Sequence, residues 1–125
     1  MSDRELLELA AKAAGLKIHS RNQAERDELI DPATASLWIV NGSTAWNPLT
    51  NDGDALRLAV QLQIDIKQYV NHAVAWFGGG YIGTGRIFYD GDPCAATRRA
   101  IVLAAAEIGR EQPPEPLSIP SQDTP

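Results

Sequence analysis

The chain has 125 residues, and its 11 basic against 16 acidic residues give a net charge of −5. A chain of this length forms one domain with a modest hydrophobic core. The acidic balance argues against a general nucleic-acid binder, because such a protein needs a basic surface to neutralise phosphates. One cysteine cannot form an internal disulfide, no apolar run approaches the roughly 18 residues of a membrane span, and the acidic start does not suit a signal peptide. These features predict a soluble protein of a reducing cytoplasm that makes no membrane contact.

The first predicted helix covers about residues 3–14. Ser2 and Glu5 match a capping box, in which each side chain accepts a hydrogen bond from the other residue's backbone. Apolar residues then recur at the spacing of one helix face, and Gly15 suits the position just after a helix. Residues 20–35 are polar and irregular, with a predicted turn at Asp31-Pro32.

A hairpin and a second helix are predicted next. Leu37–Val40 is rich in strand-forming residues, and the tight-turn signal Asn41-Gly42 would pair it with Ser43–Trp46. Asn51 or Asp52 caps the following helix, which extends to about residue 62.

The second half of the chain predicts more strands and a third helix. Strands are expected at residues 64–67 and at 70–77, and Arg86–Tyr89 is expected to pair with the latter. Asp92 and Pro93 are a favourable start for a helix that reaches about Ile108, where Gly109 ends it.

These elements predict an α+β fold, with a mostly antiparallel sheet of four to five strands packed with three helices. The helices would shield Trp38, Trp76, Ile87 and Val102 from water. Residues 1–110 form the single predicted domain. Residues 111–125 hold five of the eight prolines and no apolar periodicity, which is typical of a disordered tail.

Three segments carry a resemblance to a known family. They are residues 3–15, the Trp46–Val60 segment with its Asn-Pro turn and acidic helix start, and the alanine-rich residues 96–109. In type and order they resemble the phage ABA sandwich domain family of small tailed-phage and prophage proteins. The resemblance implies a helix–sheet–helix sandwich and a phage or prophage origin, and hence a location in the host bacterial cytoplasm. It implies no established activity.

Gly78-Gly79-Gly80-Tyr81-Ile82-Gly83 matches the pattern G-x-G-x-x-G. A dinucleotide fingerprint needs a helix after the glycines, and here the next segment is strand-like. Two interpretations stay open. The segment is a flexible hairpin tip, or it is a flap whose backbone at Gly79 and Gly80 closes over a small anionic ligand. In the second case Tyr81 would stack on a base and Arg86 would meet a phosphate.

Three further residues are candidates for ligand contact. Arg98 and Arg99 lie in the first turns of the third helix, where they would meet a phosphate or form ion pairs with acids such as Asp90 and Asp92. Trp46, beside a turn, would contact a ligand or pack in the core.

The sequence holds no assembled catalytic or metal-binding motif. Cys94 lies near a helix start, but His19 and His72 show no metal-ligand spacing, and Asn51–Asp54 lacks the pattern of a calcium loop. Nothing combines a nucleophile, a base and an orienting group. We therefore expect no enzyme activity, no metal and no cofactor.

The leading functional hypothesis is a phage-encoded accessory protein with a counter-defence role. It would sequester a nucleotide-type small molecule, without catalysis, in a pocket formed by a homo-oligomer. The first alternative is an inhibitor or adaptor that binds a host protein complex through an acidic surface. The second is a hydrolase of a host signal, which would depend on Cys94 or His72.

Overall fold

A computed structural model describes residues 2–18, 20–29, 31, 36–39, 44–78 and 82–112. This part of the chain holds four helices and six strands, in the order α1 (Asp3–Ala13), α2 (Ser20–Leu29), β1 (Leu37–Ile39), β2 (Thr44–Trp46), α3 (Asp52–Leu62), β3 (Asp65–Gln68), β4 (His72–Phe77), β5 (Ile82–Gly83), β6 (Ile87–Phe88) and α4 (Pro93–Glu111). The strand pairs within these described residues are all antiparallel. The predicted α+β class is confirmed.

Three helices begin where their capping residues predict. The Ser2 hydroxyl accepts from the backbone N–H of Glu5, and the Glu5 carboxylate accepts from that of Ser2 at 2.9 Å. The Asn51 side chain accepts from the N–H of Asp54 at 2.8 Å. Asp92 caps α4 by accepting from Ala95 at 3.0 Å, directly before Pro93 in the first turn. Each cap satisfies a backbone donor that the first turn leaves unpaired.

The strands form two sheets instead of the single sheet that the sequence predicted. In the first, β1 pairs with β2 and Leu37 lies opposite Trp46, as predicted; the Asn41-Gly42 turn lies outside the described residues. In the second, β4 pairs with β3 on one side and with β5 and β6 on the other. His72 of β4 lies opposite Phe88 of β6, which confirms the predicted pairing of these segments. How strands divide between sheets depends on long-range packing, which local patterns do not specify.

Helix α2 corrects the expectation of an irregular segment over residues 20–35. Its interactions with distant residues stabilise it: Asp27 accepts two hydrogen bonds from Arg4, each of 3.1 Å. Gln23 is buried, and its side-chain oxygen accepts from the N–H of Trp38 at 2.7 Å. The hydrogen bonds from the Arg4 guanidinium, and then the one from Gln23, hold the pKa of Asp27 below its ordinary value. None of these contacts is visible in the polar sequence of the helix.

Helix α4 lies at the centre of the molecule and contacts α1, α3 and the four-stranded sheet. Its residues Ala100, Val102, Ala104 and Ala105 are fully buried. Small side chains allow close approach of backbones, so the alanines explain how one helix packs against neighbours on several sides. Val102 is shielded as predicted, whereas the side chains of three other predicted core residues are only partly buried, namely Trp38, Trp76 and Ile87.

Gly109 does not end α4, as the sequence suggested, because the helix continues to Glu111. Gly109 is instead buried against α1. A Cβ atom there would lie 2.9 Å from the carbonyl carbon of Leu9 and well inside the contact distance of the carbonyl oxygen. The glycine therefore permits the close contact between α1 and α4. Of the predicted tail, Glu111 is helical, and residues 113–125 lie outside the described residues.

Replacing Gly109 with alanine should lower the free energy of unfolding by about 1–3 kcal/mol, because the new methyl group forces α1 and α4 apart. Helix propensity alone predicts the opposite, a gain of up to about 1 kcal/mol. Chemical denaturation monitored by circular dichroism measures the difference. The control is Gly53→Ala in α3, where the nearest atoms to the added Cβ would be not backbone atoms but the Arg57 guanidinium and the Asn51 side chain, each at 3.2 Å. A Gly109→Ala protein as stable as wild type would contradict the tight contact.

Candidate functional site

The glycine-rich segment joins two paired strands. Phe77, the last residue of β4, lies opposite Ile82, the first residue of β5. Gly79, Gly80 and Tyr81 lie outside the described residues. Their predicted roles, as a flap and as a stacking residue, therefore stay predictions. The two strands that flank the segment, β4 and β5, are antiparallel neighbours, and both interpretations of the segment stay open.

Arg98 connects α4 to the start of α3. Its Nε atom donates to the backbone oxygen of Leu49 at 2.8 Å, and its Nη1 atom donates to Asp52 at 2.6 Å. Its side chain is only 18% exposed. The predicted ion-pair partners were Asp90 and Asp92, which lie close in sequence; the observed carboxylate comes from an element 46 residues away.

Arg99 points to a different neighbour, because consecutive residues of an α-helix are rotated by about 100° around the axis. Its Nη1 atom lies 3.0 Å from a carboxylate oxygen of Asp3 at the start of α1. Both side chains of this pair are about half exposed. The two adjacent arginines therefore contact different elements, Arg98 the start of α3 and Arg99 the start of α1.

Arg99 also lines a cavity of about 510 Å³, which we call the α1–α4 pocket. One stripe of α4 supplies most of its wall, at a spacing that places the residues on one helix face. The remaining wall comes from α1 and from the sheet beside the glycine-rich connection. The lining residues are Leu6 of α1, Phe77, Gly83 and Thr84 of the sheet region, and Arg99, Leu103, Ala106, Glu107 and Arg110 of α4.

Charge in the α1–α4 pocket is carried by two ion pairs near the surface. Arg99 pairs with Asp3, and Arg110 pairs with Glu107 one turn earlier in the helix. Exposed pairs of this kind contribute at most about 1 kcal/mol each. A phosphate group, which accepts strong bidentate hydrogen bonds from arginine, can therefore displace the Asp3 carboxylate from Arg99 into water at small cost. Leu6, Phe77 and Leu103 add apolar surface to the same pocket.

Sequence reasoning missed Arg110 and Thr84 as pocket residues. The signal for Arg110 was present, because Arg99, Leu103, Ala106 and Arg110 recur at the i, i+4, i+7, i+11 spacing of one helix face. Thr84 could not be found from local patterns. Its hydroxyl accepts from the N–H of Ala75 and donates to the oxygen of Gly85, contacts that depend on strand pairing.

The other predicted site residues that the structure describes, Trp46, Arg86 and Arg98, are not part of the lining of this pocket. Trp46 is 9% exposed and lines a second cavity of about 440 Å³, together with Asp54 and Arg57 of α3. Arg86 is exposed in the connection between β5 and β6. Among the predicted site residues that the structure describes, only Arg99 lines the α1–α4 pocket.

Cys94 and His72, two of the residues considered for catalysis, lie in ordinary surroundings. Cys94 is exposed near the start of α4. The His72 ring stacks on Tyr69 with the ring centres 4.5 Å apart, and His19 lies outside the described residues. Within residues 2–18, 20–29, 31, 36–39, 44–78 and 82–112, no three His, Cys, Asp or Glu residues are grouped to hold a metal ion.

Comparisons with protein-family models, with curated proteins and with solved structures each gave no match. The resemblance to phage ABA sandwich proteins therefore stays a prediction. In the part of the chain that the structure describes, no helix combines the length and the apolar character needed to cross a membrane.

The two arginines should differ in their effect on stability. Arg98→Lys should lower the free energy of unfolding by about 1–2 kcal/mol, because lysine cannot serve both the Leu49 carbonyl and Asp52 with the same planar group. Arg99→Lys is the matched control and should change it by less than about 0.5 kcal/mol, since its ion pair is at the surface. Urea titrations of both variants test this. Equal effects would contradict the separate roles assigned to these residues.

Proposed function

We propose that this protein binds a nucleotide-type anionic small molecule in the α1–α4 pocket and holds it without converting it. The observation that carries the proposal is the pair of arginines, Arg99 and Arg110, on one stripe of α4, with the apolar residues Leu103 and Ala106 between them along the helix. The cavity volume of about 510 Å³ falls within the range of about 300–1,000 Å³ that is common for small-molecule sites.

The spacing of the arginines favours an elongated ligand. Eleven residues of α-helix separate their backbones by about 16 Å along the axis. Both residues line the same cavity. A molecule with an anionic group near each end would pair with both guanidinium groups, while a base would lie against Leu103 and Phe77. A compact anion such as free phosphate would engage only one arginine.

The glycine-rich connection is the proposed flap of this site. Gly83 and Thr84, which follow that connection, line the pocket, and the proposal keeps Gly79, Gly80 and Tyr81 as the flap residues. Arg86 follows Thr84 by two residues and is the candidate for a contact at the rim. Trp46 and Arg98 have no part in the proposal, because their contacts lie elsewhere in the fold.

The biological setting of the proposal is a phage-encoded counter-defence protein that acts in the host bacterial cytoplasm. The three segments that resemble the phage ABA sandwich family support this setting. The covering of the four-stranded sheet by α4 is compatible with a helix–sheet–helix sandwich, which remains part of the proposal. Sequestration, as opposed to cleavage, agrees with the ordinary surroundings of Cys94 and His72.

The test is calorimetric titration of the protein with a panel of linear and cyclic nucleotides. One class should bind, and Arg99→Ala or Arg110→Ala should each weaken binding by about tenfold or more, the loss expected when a charge-assisted hydrogen bond is removed. Arg86→Ala should weaken it less, as a rim contact. Arg57→Ala removes the same charge from a side chain that is 74% exposed outside this pocket, and should have little effect.

Two results would count against this function. No heat with any nucleotide would refute the proposed ligand class. Recovery of a converted product after incubation, detected by mass spectrometry, would replace sequestration with the hydrolase alternative. In that case the Cys94→Ser and His72→Gln variants would show which residue the reaction needs.

A second candidate function is binding of a host protein, and an exposed apolar patch favours it. Val70 is 98% exposed and Phe88 is 52% exposed, and both line one shallow cavity that also includes Asp90. Exposed apolar groups beside an acid are suited to a partner that has an apolar anchor and a basic rim. This patch agrees with an inhibitor or adaptor that acts on a basic host surface.

Substitution of Val70 distinguishes this candidate from small-molecule binding. If the patch binds a host protein, Val70→Ser should abolish its recovery in a pull-down and leave the free energy of unfolding unchanged, because the side chain is almost fully solvated. Leu29→Ser is the control, since Leu29 is 87% exposed on α2. Recovery that both variants leave intact would contradict a role for the patch.

A further inference from the structure

Strand β3 is an open edge of the four-stranded sheet. Its four residues pair with β4 along one side, and no strand of the described residues pairs with its other side. All four residues are exposed. An open edge carries unpaired backbone N–H and C=O groups, which are a template for pairing with another strand.

The register of β3 shows which backbone groups point to the open side. The N–H of Tyr69, just after β3, donates to the oxygen of His72 at 2.8 Å. In an antiparallel pair the residues alternate between those bonded to the neighbour and those pointing away from it. Asp65 and Lys67 therefore direct their backbone groups toward β4, whereas Ile66 and Gln68 direct theirs to the open edge.

The side chains of β3 alternate between the two faces of the sheet. Ile66 and Gln68 lie opposite the buried residues Ala75 and Ala73 on the face that packs against α4. The Gln68 amide accordingly donates to the Thr97 hydroxyl of α4 at 3.1 Å. Asp65 and Lys67, the neighbours of Ile66 in the sequence, lie on the other face, and one is acidic and the other basic.

We propose that β3 pairs antiparallel with β3 of a second copy of this chain, about a twofold axis at Ile66. At that register the outward N–H and C=O of Ile66 meet those of the second copy's Ile66. Asp65 of each copy lies opposite Lys67 of the other, so two opposite-charge pairs form on one face. The Ile66 side chains meet on the other face.

The charge pattern selects this register over its neighbours. An axis at Asp65 would place the two Asp65 carboxylates opposite each other. An axis at Lys67 would place the two Lys67 ammonium groups opposite each other. A shift of the pairing by a single residue would place Ile66 of one copy opposite a charged residue of the other. Lysine on an edge strand commonly prevents edge pairing; here the acid two residues earlier makes the strand complementary to itself.

Apolar groups beside the edge favour the same occupant. Ile66 and Leu56 of α3 line one groove, and Leu56 is 62% exposed. Val60, one helical turn after Leu56, is 69% exposed. A second copy related by an axis at Ile66 would approach this side of the molecule and remove apolar surface from water.

Sedimentation equilibrium of the full-length protein tests the proposal. Wild type should form a dimer. Asp65→Lys or Lys67→Glu alone turns two attractive cross-strand pairs into two repulsive ones, and should raise the dissociation constant by about tenfold or more. The double variant Asp65→Lys/Lys67→Glu restores both pairs and should dimerise like wild type. Lys17→Glu, which changes an exposed lysine outside β3, should leave the dimer unchanged.

The double variant keeps the test independent of folding defects, because it carries both substitutions and recovers the dimer only if they face each other. A dimer that the single variants leave intact, or that the double variant does not recover, would overturn the proposed interface. A monomeric wild type would also overturn it, and would leave the edge to another occupant, such as residues 113–125 of this chain. None of these results bears on ligand binding by the α1–α4 pocket.

Discussion

The close contact between α1 and α4 is the constraint on which the rest of the structure depends. Gly109 allows the backbone of α4 to lie against the Leu9 carbonyl, and Ala100, Ala104 and Ala105 keep the rest of the helix narrow. The sheet also contributes small residues to this contact region, because Ala73 and Ala75 are fully buried. Small residues bury little apolar area each. The helix therefore gains stability by having neighbours on several sides instead of one large apolar contact.

The same packing decides where a pocket can form. Because α1 and the sheet approach α4 from different directions, they leave an open seam along one stripe of the helix, and Arg99 and Arg110 occupy it. Arg98, one residue away, is turned toward α3 and is used to hold the turn at Leu49. Helix geometry thus gives the two neighbouring arginines different roles: Arg98 stabilises the fold, whereas Arg99 lines a surface where a ligand can bind.

Local signals predicted the parts of this fold that depend on a few adjacent residues. The caps at Ser2, Asn51 and Asp92 were predicted because each side chain bonds a backbone N–H only three residues away. Helix α2 was missed because its stabilising partner Arg4 lies 23 residues from Asp27. Gly109 was misread as a helix end because the same residue type serves helix termination and close packing, and only the position of α1 distinguishes them. Of the candidate site, Arg99 was predicted, whereas its grouping with Arg110 required the three-dimensional packing.

The two proposed binding surfaces lie at opposite edges of the four-stranded sheet. The α1–α4 pocket borders Gly83 and Thr84 beside β5, whereas the proposed dimer edge is β3, with β4 between them. A dimer through β3 would therefore leave both pockets open and complete within their own chains. The sequence favoured a pocket formed by an oligomer; this geometry instead favours two separate sites. Because no side chain would be shared between them, occupation of one pocket would influence the other only through a change in the sheet, so the simplest expectation is independent binding at the two sites.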